Sequence, residues 1–142
     1  KKQKIVNQLF SYFFKNKEKY YFDKLYMKKK HLKELADNNM VIGAHSHSHR
    51  VLSSLNKRDY ENDISSSLKF LKNFSNKKTF SYPYGGFHTF NKNIKGYLKK
   101  KKVSFSMNVE PRDITYNDFI YKKYTLPRYD CNKFIYGKIA RI

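Results

Sequence analysis

Apolar residues recur along this chain with two distinct periods, and their alternation predicts the order of elements. Ile5, Val6, Leu9, Phe10, Phe13 and Phe14 fall at helical spacing, so residues 2–15 are expected to form an amphipathic helix whose strongly apolar face needs a partner. A second helix is expected over residues 26–38, with Leu32, Leu35 and Ala36 inward and Asn38-Asn39 supplying a left-handed terminator. The apolar run at residues 40–44 then reads as a buried strand. Asn56, with Asp59 three residues on, opens a third helix whose stripe is Tyr60, Ile64, Leu68, Leu71 and Phe74.

Residues 79–82 read as the next strand, stopped by Pro83-Tyr84-Gly85-Gly86. A Lys-rich helix over residues 91–101 buries Ile94, Tyr97 and Leu98. Val103, Phe105, Met107 and Val109 alternate with Ser104, Ser106 and Asn108, the pattern of a strand. Residues 124–126 form a further candidate strand ended by Pro127, and residues 133–142 read as weakly helical or frayed. Strands alternating with helices imply an α/β fold with a parallel sheet and right-handed crossovers, either a βα barrel or an open sheet. Each polar motif follows a strand, where such folds place their active-site loops. Three or four strands cannot close a barrel, and an open sheet keeps edges that proteins ordinarily cover.

Length changes this picture little. The 142 residues suit one domain, taken as residues 1–142, with a real core. A formal net charge of +20 raises the question of nucleic acid. Lysine dominates, however, and the five arginines (Arg50, Arg58, Arg112, Arg128, Arg141) are scattered. Together with abundant Asn, Tyr, Phe and Ile, that is the composition AT-rich coding produces, so no specific nucleic-acid partner is expected. Cys131 is the sole cysteine, which excludes an intrachain disulfide and suggests a small buried hydrophobe. No stretch has the length of a membrane span. Compartment stays open between cytoplasm and cell envelope.

The candidate chemistry begins at His45-Ser46-His47-Ser48-His49, directly after the first expected strand. Histidines four residues apart can converge on one metal ion, and neutral imidazole is a good ligand near pH 7. The alternative is a solvated polar loop. Ser46 and Ser48 can fix the turn through hydrogen bonds to backbone, while His47 is expected to point elsewhere and His31 to be a surface residue. Tyr82-Pro83-Tyr84-Gly85 reads alone as an aromatic turn.

Taken in order, these segments resemble the polysaccharide deacetylases with a NodB homology domain. Gly43-Ala44-His45-Ser46-His47-Ser48-His49-Arg50-Val51-Leu52 is similar to that family's His-Ser/Thr-x-x-His segment. Phe80-Ser81-Tyr82-Pro83-Tyr84-Gly85 is similar to the next motif in its Tyr-Pro-Tyr-Gly branch. Val109-Glu110-Pro111-Arg112-Asp113-Ile114 resembles its Asp-x-x-Asp-Trp segment, and Leu126-Pro127-Arg128 stands in the place of its Leu-x-His. The resemblance runs from about residue 25 to residue 134.

It implies a partial, distorted (β/α) barrel and a divalent metal, often zinc, that binds two His and one Asp and serves removal of acetyl groups from N-acetylated sugars. His45 and His49 become the implied metal ligands. The Tyr84 backbone N–H becomes a donor to the oxyanion, with Tyr84, Tyr82 and Leu126 lining the sugar site. The partner is an acetylated glycan or amino sugar.

Three departures qualify the expectation. The family's Thr-Phe-Asp-Asp-Gly-like segment, which carries the catalytic base and third ligand, has no counterpart in this sequence; Asp23 lacks a second Asp beside it. Ser81 replaces the arginine that usually begins the third motif, and Arg128 replaces the late general-acid His. Arg128 is then expected to pair with Asp113 and restore a positive charge near the site, with His88 as the candidate replacement acid. The leading function is metal-dependent deacetylation of an N-acetylated, or alternatively O-acetylated, bacterial glycan. A catalytically inactive glycan-binding remnant is the second reading. A basic nucleic-acid module, using clusters such as Lys99-Lys100-Lys101-Lys102, is the third.

Overall fold

The computed structural model describes residues 2–15 and 17–134, which divide into two compact units, residues 1–40 and 41–142. The first unit is helical: α1 (Lys2–Phe14), α2 (Glu18–Leu25) and α3 (Lys29–Asp37). Within it α1 meets α2 through aromatic contacts, Phe14 against Tyr21 with centroids 5.1 Å apart. The second helix expected from residue 26 begins only at Lys29, and α2 was not anticipated. Asn39 takes φ 62°, the left-handed terminator foreseen after α3. His31 is half-buried, and its Nδ1 accepts the backbone N–H of Lys28 at 3.1 Å, closing the first turn of α3.

In the second unit α4 (Lys57–Leu71), β1 (Thr79–Ser81), α5 (Lys92–Lys100), β2 (Phe105–Val109), α6 (Tyr116–Tyr121) and β3 (Leu126–Arg128) follow one another. Asn56 and Asn91 cap α4 and α5 by accepting from the N–H groups of Asp59 and Ile94. The apolar faces of both helices close over the sheet: Tyr60, Ile64, Leu68, Leu71, Ile94 and Leu98 join Leu52, Phe80, Tyr82 and Phe90 in one core. Phe74 lies past the end of α4 and is only half-buried.

The sheet is parallel and small, β1-β2-β3, and no barrel closes among the described residues. The strand expected over residues 40–44 contracts to one bridge, Ala44 to Phe80, held by Ala44 N–H to Thr79 O at 2.9 Å and Ser81 N–H to Ala44 O at 2.8 Å. Met40 and Val41 are exposed.

The strand expected from the alternation forms as β2, with Ser106 and Asn108 completely buried and Phe105, Met107 and Val109 half-buried. A central parallel strand is covered on both faces, and the buried polar groups are satisfied. Ser106 Oγ donates to Tyr124 O at 2.7 Å. In the amide orientation that satisfies both its atoms, Asn108 donates to Thr125 O and Leu126 O at 2.8 and 3.0 Å. Pro127, expected to end a strand, lies inside β3, which is an edge strand where a missing N–H costs little. Cys131 is exposed rather than buried, in a short turn at Cys131–Lys133. Most of the tail expected to be weakly helical lies outside the described residues.

After β2 the chain is pinned by Arg112, which forks onto Asp118 (2.7 and 2.8 Å) and also reaches Glu110, while Thr115 caps α6. Arg112, and then the N–H and hydroxyl of Thr115, hold the Asp118 carboxyl well below the usual carboxylate range. A carboxylate depressed on folding stabilises above its unfolded pKa of about 3.9, and that contribution is lost as pH falls through the lower folded value. The urea midpoint should therefore fall as pH is lowered below about 4, and Asp118→Asn should make that acid loss shallower. An unchanged acid profile in the variant would contradict it.

Candidate functional site

All the sequence motifs stand at the carboxyl ends of the parallel strands. His45 follows the Ala44 bridge, the Tyr82–Gly85 turn follows β1, Asp113 lies past β2, and Arg128 ends β3. The histidine loop is built by unusual backbone: Ser46 and His49 take φ 62° and 52°. Left-handed non-glycine residues cost on the order of 1–3 kcal/mol each and persist only where surroundings over-determine them. Here Ser46 Oγ accepts from His49 N–H at 2.9 Å, and Asp63 of α4 accepts from the N–H groups of His47 and Ser48 at 2.8 and 3.0 Å and from the Ser48 hydroxyl.

The turn brings His45 and His49 ring to ring, with centroids 5.0 Å apart. His45 Nδ1 lies 2.8 Å from Ser81 O, an oxygen that can only accept, so this nitrogen carries the proton and Nε2 keeps its lone pair. That arrangement is typical of a metal-binding histidine. Partial burial lowers the His45 pKa against the opposing Ser81 bond, and the nearby His49 and Arg128 lower it further, so the imidazole is neutral at pH 7. His45 Nε2 is therefore one ready donor, and the His49 ring stands beside it. A catalytic zinc usually takes three protein ligands, and no group of three His, Cys, Asp or Glu converges among the described residues. Asp63 is not grouped with the two histidines; its two oxygens accept from the loop's backbone and the Ser48 hydroxyl.

The Tyr84 ring packs at a tilt against His49, centroids 4.9 Å apart, with its side chain exposed. Tyr84 and Gly85 both adopt left-handed φ, 62° and 72°, and the Tyr84 N–H makes no hydrogen bond among the described residues. A Cβ on Gly85 would lie 2.4 Å from Val109 Cγ2 and 2.7 Å from Val109 N, so only glycine lets this turn settle against β2.

The charge of Arg128 helps lower the His45 pKa, and its buried Nε has no hydrogen-bond partner among the described residues. The expected pair with Asp113 does not form among the described residues. Asp113 instead accepts the Tyr129 hydroxyl at 3.0 Å, which pushes that phenol's pKa up, and the neighbouring Arg112 is committed to Asp118. His88 lies on a short turn, Phe87–Thr89, exposed and without a contact to the histidine pair among the described residues. Tyr82 does not line a groove: it is completely buried, stacked on Phe90 at 4.0 Å, with its hydroxyl donated to Tyr124 O at 2.9 Å. Leu126 is likewise buried at the base of β3. His47 is exposed, as expected.

Asp63, which bonds the histidine loop, was not anticipated from the sequence. Its signal was available: an acid three residues from Tyr60 and one from Ile64, on the buried face of an amphipathic helix, must have donors to meet.

No helix among the described residues is long and apolar enough to cross a membrane. No curated protein matches the chain. The polysaccharide deacetylase family profile matches residues 4–106, from α1 into β2. With most of its length matched and both histidines and the Tyr-Pro-Tyr-Gly turn inside that span, the chain belongs to the polysaccharide deacetylase family, hydrolases of acetylated glycans that are in general metal-dependent.

Proposed function

We propose that this chain carries the two-histidine part of the metal centre of a glycan N-deacetylase, with His45 and His49 as ligands and zinc as the metal. The observation that carries the reading is the close His45–His49 pair with the Nδ1 proton of His45 anchored on Ser81 O, which leaves Nε2 free. When bound, the metal would supply Lewis-acid polarisation of the acetyl group and an activated water. The third ligand and the base would be carboxylates from a Phe-Asp-Asp-like segment outside this sequence. The family match spans both compact units, which supports reading residues 1–142 as parts of a single deacetylase domain with a partial (β/α)-barrel sheet.

The chain's own residues then divide the work. The Tyr84 N–H, without a hydrogen-bond partner among the described residues, would donate to the oxygen where negative charge develops as the amide is attacked; losing such a donor costs about 3 kcal/mol in comparable sites. The exposed Tyr84 ring beside His49 offers a sugar a flat apolar face. Arg128, with its unpartnered Nε, supports a role in holding an acidic group beside His45, either the incoming carboxylate or the acetate released. Asp113, tied to Tyr129, and His88 stay candidates for proton transfer in the intact protein.

Calorimetry of the chain with Zn2+ tests the metal assignment: one ion should bind, weakly for a two-histidine site, and EDTA should remove it. Acetate release from chito-oligosaccharide is expected only from a protein that also carries the Asp-Asp segment. A chain that takes up no zinc would overturn the reading. The two-donor site favours a second reading, a glycan-binding remnant; it would be shown by oligosaccharide binding without acetate release in the full gene product.

A further inference from the structure

We propose that Asp63 is a positioning residue: through the backbone of His47 and Ser48 it holds the histidine loop in the left-handed conformation that brings the rings of His45 and His49 together edge to face. The inference rests on the metal reading above for its purpose, though not for its geometry. Asp63 lies on α4, a different element from the loop, and is only 5 % exposed although it is an ionisable residue. Such a side chain is rarely buried without a full set of partners. Its partners all come from one place: the His47 N–H, the Ser48 N–H and the Ser48 hydroxyl.

Those donors lie between the two φ-strained residues, Ser46 and His49. An extended loop would scatter these N–H groups to both sides, whereas the Ser46 kink turns two successive ones toward a single carboxylate. Arg50 completes the arrangement by donating to Ser48 Oγ at 3.0 Å, so that the loop's side chains and backbone are ordered around Asp63. Burial alone would raise the Asp63 pKa, but these donors outweigh it and hold the carboxyl below its ordinary value, consistent with a charged acceptor. Nothing in the family's His-Ser/Thr-x-x-His pattern specifies this residue; it is set by the helix that follows.

The test compares Asp63→Asn, which exchanges one acceptor for a donor at constant shape, with Ile64→Val, a mild core change at the next position of the same helix. Amide hydrogen exchange of His47, Ser48 and His49 should quicken about 10-fold or more in Asp63→Asn, beyond any change in α4, and stay unchanged relative to α4 in Ile64→Val. Zn2+ affinity should fall about 10- to 100-fold in Asp63→Asn alone, the range for loss of a group supporting metal ligands. Exchange that rises equally in both variants would overturn the proposal, as would zinc affinity that holds while the loop loosens. If the parent chain binds no zinc, the metal reading fails, and the exchange comparison still decides whether Asp63 holds the loop.

Discussion

Replacing either His45 or His49 with alanine is expected to weaken Zn2+ binding at least about 100-fold, taking it below calorimetric detection. With two protein donors, loss of one leaves a single imidazole, whose affinity does not differ from that of any exposed histidine. His47→Ala is the internal control. His47 is exposed and joins the site only through its backbone N–H to Asp63, which alanine keeps. Zinc binding in that variant should match the parent. His45 and His49 are also exposed enough that the fold should tolerate their removal within about 1 kcal/mol, the range for surface substitutions with one lost hydrogen bond. Equal zinc binding by all three variants would place the metal elsewhere.

Gly85→Ala should lower stability by about 3 kcal/mol or more, read as a shift of the urea midpoint. Two costs add. The residue must keep φ 72°, which alanine adopts only under strain, and its new methyl would stand 2.7 Å from the Val109 backbone nitrogen. That nitrogen cannot retreat cheaply, since its N–H donates to Gly85 O at 2.9 Å and Val109 pairs with Arg128 across the sheet. If the variant folds, the turn has moved, and with it the Tyr84 N–H and the Tyr84 ring over His49. Gly96→Ala is the comparison, because a Cβ there meets nothing within 4 Å and the glycine lies mid-helix in α5, where alanine should stabilise by up to about 1 kcal/mol. Equal midpoints for the two variants would refute the steric argument.

The sequence was most legible where a period was long and unambiguous. The stripes of α4 and α5 and their asparagine caps emerged as read, because helical spacing and capping chemistry are local properties. What lay across the sheet was not legible. Alternation marked β2 as a strand but could not tell that it runs between β1 and β3, which puts Ser106 and Asn108 inside, bonded to the segment leading into β3. The helix α2 was hidden by its mixture of lysine and tyrosine, which weakens the contrast between faces. Its counterpart α6 is barely a turn and a half, though Thr115 and Asp118 spelled out its cap.

Site residues divided similarly. His45 and His49 could be found from spacing, and the family match covers them. The end of the strand could have separated Tyr82 from Tyr84: Phe80 and Tyr82 share parity and both lie inside, while Tyr84 has the same parity but stands in the turn, where the strand period no longer applies, and is exposed. No local rule could pair Asp113 with Tyr129 rather than Arg128, since that choice depends on how two loops pass one another.

The order of strands across the sheet is the order in which they are synthesised. Each pairing therefore joins neighbours in the chain across one intervening α-helix, and no strand has to be threaded between two already in place. Loop-closure cost grows with separation, so such a sheet can assemble progressively, β2 docking on β1 before β3 exists. The histidine loop and its Asp63 support precede all three strands in the chain. The loop can thus be set by α4 and the Ala44 bridge to β1 while the later strands, and Arg128 with them, are still to arrive.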